Sequence, residues 1–81
     1  MTLTNATKKL NKAGYEVSKV GSVYQAEKKG GRDVVTFFLN GGDGNVTCIK
    51  VRAVGDRDDS MTDYSAGVYV DNITQAIKIA A

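Results

Sequence analysis

The chain's 81 residues, 42% hydrophobic and 25% charged, have the make-up of a folded globular protein and leave room for a single domain, 1–81, rather than a disordered polypeptide. A formal net charge of +2 is too small to mark a nucleic-acid binder on its own. The absence of histidine removes the usual general base, most zinc sites and every Ser–His or Cys–His nucleophile.

Charge is unevenly placed. Residues 1–40 hold seven Lys/Arg against three Asp/Glu, and residues 41–81 hold four against six. Cys48 is the one cysteine, so no internal disulfide forms and packing alone must hold the domain, which fits a reducing compartment. The opening Met1-Thr-Leu-Thr-Asn5 lacks the basic-then-apolar pattern of a signal peptide. No apolar run approaches the roughly 20 residues that cross a bilayer. The expectation is a cytoplasmic protein with no membrane partner.

In chain order, Leu3, Ala6, Leu10 and Ala13 recur at helical spacing and predict a helix over 3–13, with Lys8, Lys9 and Lys12 turned away from that stripe. Thr2 or Thr4 caps its start, and Gly14 its end. From Tyr15 the period becomes two. Segments 15–20 and 23–29 alternate about Gly21-Ser22, a type II′ turn. Gly30-Gly31 forms a second tight turn into 33–39, and the turn cluster 40–45 leads to 46–54. Loops this short join only antiparallel neighbours. Residues 55–65 show no periodicity, and 67–70 read as a fifth strand. Ile73, Ala76, Ile77 and Ala80 predict a closing helix over 72–80, with Asn72 and Gln75 as a capping box. The fold class is therefore α+β: a four- to five-stranded antiparallel meander with N-terminal and C-terminal helices, α-β-β-β-β-(β)-α.

Turn geometry also predicts the register. A two-residue turn at 21–22 pairs Val17 with Ala26, and one at 30–31 pairs Ala26 with Val35 and Tyr24 with Phe37. One face then carries Tyr15, Val17, Tyr24, Ala26, Val35, Phe37 and Leu39, continued by Ile49, Val51 and Ala53, and this is the face the helices should cover. The opposite face carries Val20, Val23, Gln25, Glu27, Val34, Thr36, Phe38, Cys48, Lys50 and Arg52. Its apolar middle with a charged margin is the pattern of a binding or dimerisation patch. The alternative is that one helix crosses to this side and buries it.

Individual features carry little chemistry. Cys48 has no histidine to activate it and reads as a packing residue. The acidic run Asp56, Asp58, Asp59 and Asp63 lacks the glycine and terminal glutamate of a calcium loop and is interrupted by Arg57, so a hydrated or Arg-paired loop is expected, with no metal and no cofactor. The glycine pairs at 30–31 and 41–42 neither stand between strand and helix nor lead into Gly-Lys-Ser/Thr, so they read as hairpin turns. Arg52, Arg57 and Tyr64 are residue types that anchor interfaces. Lys8, Lys9 and Lys12 on one helix, with Lys28, Lys29 and Arg32 at a hairpin tip, give a possible nucleic-acid surface.

The stretch Leu10-Asn-Lys-Ala-Gly-Tyr-Glu-Val17, followed by Gly21-Ser22, resembles the opening of HicA-type toxins, small RNA-cleaving domains with a double-stranded-RNA-binding-like fold. Val23 stands where those proteins place the catalytic histidine. The resemblance therefore implies an αβββα-like layout without the cleavage activity. The run Cys48-Ile-Lys-Val-Arg52, with Asp56-Arg-Asp-Asp-Ser-Met-Thr-Asp-Tyr64 and Ala76-Ile77, resembles small bacteriophage and prophage proteins, which implies an accessory protein that binds a host factor, including a defence component.

The expectation from the sequence is a non-catalytic protein-interaction module acting through Val23, Val34, Phe38, Lys50, Arg52, Arg57 and Tyr64, with a homodimer through the same sheet face as a corollary. The alternative is a small RNA- or DNA-binding domain that uses Lys8, Lys9 and Lys12.

Overall fold

Thr2 begins the first helix, its Oγ1 accepting the Asn5 N–H at 3.2 Å; this satisfies one of the donors that a helix start leaves without an internal partner. In the computed structural model, which describes residues 1–31, 33–53 and 67–80, α1 runs Leu3–Lys12. Ala6 and Leu10 are buried, and Leu3 and Ala13 pack at the edge of the core. Gly14 follows with φ +96°, closing the helix where the sequence places its cap.

Five strands follow: β1 (Tyr15–Val20), β2 (Val23–Lys28), β3 (Asp33–Leu39), β4 (Val46–Ala53) and β5 (Val68–Val70). They form one antiparallel sheet in chain order, and α2 (Ile73–Ala80) closes the fold. The α+β meander with a helix at each end is the expected one. Gly21 alone of the first turn has positive φ, +66°, as a type II′ hairpin requires. Val17 pairs with Ala26, Ala26 with Val35 and Tyr24 with Phe37, all as the turns predict. The second connection differs in detail. β2 ends at Lys28, whose carbonyl accepts the Gly31 N–H at 2.7 Å, so a four-residue loop rather than a two-residue one keeps the same register.

The start of α2 is tied twice. Asn72 Oδ1 accepts the Gln75 N–H at 2.8 Å, and Gln75 Oε1 accepts the Asp71 N–H at 3.1 Å. The reciprocal bond thus reaches one residue before the cap rather than the cap itself.

Both helices pack on one side of the sheet. Their inward residues, Ala6, Leu10, Ile73, Ala76 and Ala80, share one cluster with Tyr15, Ala26, Val35, Phe37, Ile49 and Val51. Phe37, Leu10, Ile73 and Val35 are the largest side chains buried completely, each worth about 1.5–3 kcal/mol of apolar burial. Tyr24 stacks on Phe37 with ring centroids 5.5 Å apart.

Strand β4 contains a feature the alternation does not predict. Thr36 pairs with Lys50, yet Phe38 pairs with Thr47, so Cys48 and Ile49 together oppose Phe37. Cys48 is the extra residue, held at φ +53°. The bulge changes the strand's parity: Val46 and Ile49, three positions apart, both meet the core. With a regular ladder from Val46, Lys50 and Arg52 would point inward. Outside the bulge, Met1 O accepts the Val46 N–H at 2.8 Å, and Thr2 bridges Asn45.

Candidate interaction surface

Because the helices occupy one face, the other is formed by alternate strand residues in three rows. The first row runs Val20, Val23, Phe38, Thr47. Val20 pairs with Val23 and Phe38 with Thr47, and the Tyr24–Phe37 pairing carries Val23 next to Phe38. The second runs Ser18, Gln25, Thr36, Lys50, Tyr69. The third runs Glu16, Glu27, Val34, Arg52, with Glu16 directly opposite Glu27 and Val34 opposite Arg52.

The first row is the apolar one. Val20 is 48% exposed and Phe38 37%, with Val23 half-buried between them. Phe38 is exposed at the end of a run that continues through Val23 to Val20, and contiguous apolar surface of this kind marks contact sites. Tyr69 adds a second exposed aromatic at the β5 edge, with the Lys50 Nζ 5.6 Å from its ring centroid.

The third row is charged and asymmetric. Two carboxylates on β1 and β2 stand side by side, and like charges directly opposite cost roughly 0.2–1 kcal/mol. Across the face, β4 offers the half-buried Arg52.

Two residues of the expected patch are placed differently from their role in it. Val34, taken as an exposed contact, is 2% exposed; it stands on the middle strand, paired with Arg52, and is buried within the single chain. Lys50 is 8% exposed and belongs to the sheet's own packing against Tyr69, which leaves Arg52 as the cation β4 presents. Val23, Phe38 and Arg52 lie on the open face as expected. Arg57, Tyr64 and the acids Asp56, Asp58, Asp59 and Asp63 lie outside the described residues, as does Arg32. Alternation back along β1 from Val20 reaches Glu16, and alternation in β5 reaches Tyr69; both signals were present in the sequence and both residues belong to this face.

The opposite surface of the molecule is the outer side of the helix layer. Neither α1 nor α2 contains an acidic residue, while Lys8, Lys9, Lys12 and Lys78 are all exposed there. Met1, Asn5, Lys8, Lys9 and Lys12 line an open depression of about 420 Å³. Two further lysines are spent on the core's rim: Lys28 Nζ lies 5.8 Å from the Tyr15 ring centroid and Lys19 Nζ 5.7 Å from that of Tyr24.

Cys48 is exposed, with the Thr47 hydroxyl 4.0 Å from its Sγ; no histidine exists in the chain to act as its base. Among the described residues no helix is long and apolar enough to cross a membrane. Comparison with known proteins finds no matching family model, curated protein or solved structure.

Proposed function

We propose that the chain is a non-catalytic protein-interaction module whose docking surface is the helix-free face of the sheet. The observation that carries this reading is the row Val20, Val23, Phe38, an apolar strip left open on a sheet whose two helices are both spent on the other side. Apolar anchors at the centre with charges at the margin are what a protein partner requires. Phe38 and Val23 supply the anchor, and Arg52 and Glu27 fix orientation. The resemblance to bacteriophage accessory proteins supports a host protein as a partner. The test is affinity capture from the native host with wild-type and Phe38→Asp proteins. A partner retained by the first and lost by a folded second supports the reading; equal retention by both contradicts it.

A second reading is favoured by a separate observation, the acid-free helix layer. Lys8, Lys9 and Lys12 around their depression, with Lys78 on the neighbouring helix, suit a phosphate backbone, whose binding weakens steeply as salt rises. Oligonucleotide titration at two salt concentrations, repeated with Lys8, Lys9 and Lys12 changed to alanine, tests it. Salt-sensitive binding lost in the triple variant supports nucleic acid. Binding of neither protein at low salt excludes it.

A further inference from the structure

We propose that Asn40 is a self-modification site: the Gly41 amide nitrogen closes on its side-chain carbonyl, and water opens the resulting imide to aspartate or isoaspartate. Asn40 is the one asparagine of the chain that a glycine follows. With no Cβ at 41, nothing on that residue crowds its own nitrogen. The reacting groups belong to adjacent residues, so the closure is intramolecular and needs no second protein.

The structure separates Asn40 from its neighbours in the same loop. Asn40, Asp43 and Asn45 each precede an amide that could attack them. The Val46 N–H, which follows Asn45, donates to Met1 O at 2.8 Å, and the Gly44 N–H, which follows Asp43, donates to Asn40 O at 2.8 Å. Both nitrogens are held, and Val46 adds a branched side chain. Among the described residues, the Gly41 N–H has no acceptor. The Asn40 side chain is also set for attack, because its Oδ1 accepts the Gly42 N–H at 2.7 Å. That donor sits on the oxygen that gains charge as nitrogen adds to Cγ, an oxyanion contact supplied by backbone. Residues 40–44 are exposed, so water and hydroxide reach them.

The step balances without a metal or a redox partner. The Gly41 nitrogen gives its proton to hydroxide and bonds to Cγ. The Cγ–Nδ2 bond breaks, and Nδ2 leaves as ammonia. One water then adds to either imide carbonyl: cleavage at Cγ leaves aspartate, and cleavage at the backbone carbon leaves isoaspartate. Either product adds a negative charge to a chain whose net charge is +2.

Isoaspartate reroutes the main chain through Cβ and Cγ. The oxygen that accepts the Gly44 N–H then belongs to a side-group carboxylate. That bond, with the Asn40 N–H to Asn45 O bond at 2.8 Å, closes the hairpin beside the Leu39–Val46 and Phe38–Thr47 pairs. Conversion therefore disturbs the end of β3 that carries Phe38, and its meaning for docking rests on the interaction-surface reading above.

The experiment ages the folded chain in warm neutral buffer beside Gly41→Ala. A Cβ at 41 meets nothing within 4 Å, and φ there is not positive, so the variant should fold normally. Intact mass and peptide mapping should show wild type converting at Asn40, faster in proportion to hydroxide, with Asn45 unchanged. Isoaspartate should be detected at 40, and Gly41→Ala should keep its mass over the same period. The converted chain should show shifted Phe38 and Thr47 resonances. Wild type that keeps Asn40 overturns the proposal, as does conversion that falls first on Asn45 or proceeds equally in Gly41→Ala. If the variant misfolds, the imide decides: conversion at 40 with no ammonia-loss intermediate at mildly acidic pH overturns the ring closure. Unchanged Phe38 and Thr47 signals after conversion overturn the coupling to the sheet. None of these readouts involves a partner, so failure of the docking surface would leave them standing.

Discussion

Replacement of Cys48 probes the bulge that sends Lys50 and Arg52 to one face and Ile49 and Val51 to the other. Its φ of +53° lies in the left-handed region, where an L side chain costs about 1–2 kcal/mol. Glycine escapes that cost but gives up about 0.5–1 kcal/mol in chain entropy on folding. Cys48→Gly should therefore stabilise the domain by about 0.5–1 kcal/mol, raising the melting temperature by roughly 2–8 °C at this size. Cys48→Val, branched at Cβ, should lower stability by about 1 kcal/mol or more, and Cys48→Asn should lie near wild type, since asparagine tolerates this region better than most. Urea and thermal denaturation under reducing conditions, with midpoints compared across the series, give the answer. A valine variant as stable as wild type beside a destabilised glycine variant would refute a left-handed bulge here.

Three further outcomes follow from other parts of the molecule. Gly67→Ala should cost about 1–3 kcal/mol by urea melt, because φ is +98° and a Cβ would stand 2.6 Å from the Val51 carbonyl oxygen; an unchanged midpoint would contradict the close approach of β5 to β4. Burial, with the nearby Asp33 carboxylate adding to it, pushes the Tyr15 phenol above its ordinary value of 10.0. The native state then keeps a proton that the unfolded chain releases, so this contribution is intact below about pH 10 and is lost as pH rises through the native value. Wild type should accordingly lose more stability than Tyr15→Phe between about pH 9 and about pH 11, measured by urea midpoint; equal losses would place Tyr15 in water. Changing Lys8, Lys9 and Lys12 together to alanine should leave the melting temperature within a few degrees, since all three side chains are exposed; a large drop would show that they support α1 rather than merely coat it.

Most of the fold was legible because two periods and a few turn residues carry it. Leu3, Ala6, Leu10 and Ala13 mark one helix stripe, and the alternation from Tyr15 to Lys28 about Gly21-Ser22 leaves only one register that keeps Val17, Ala26 and Val35 together. The bulge was not legible, since cysteine carries no preference for positive φ. Its trace in the sequence is the odd spacing of Val46 and Ile49, which no regular strand can turn to the same side. The open face was legible in its apolar row, because Val23 and Phe38 follow from the register alone. Burial of Val34 and Lys50 was not, because it depends on what packs over a position rather than on which face a residue occupies. Alternation in β5 separates Tyr69 from Val68 and Val70, and the pairing of Lys50 with Tyr69 then sets which face it joins.

The helix-free sheet face is tested most directly by a soluble paramagnetic probe, read on the Val and Ile methyl and Phe ring signals at a concentration where sedimentation finds only monomer. The signals of Val20, Val23 and Phe38 should broaden strongly while those of Val35, Phe37 and Ile73 stay sharp. Protection of Val23 and Phe38 equal to that of Phe37 would mean that this face is already covered within the single chain, and the docking surface would not exist.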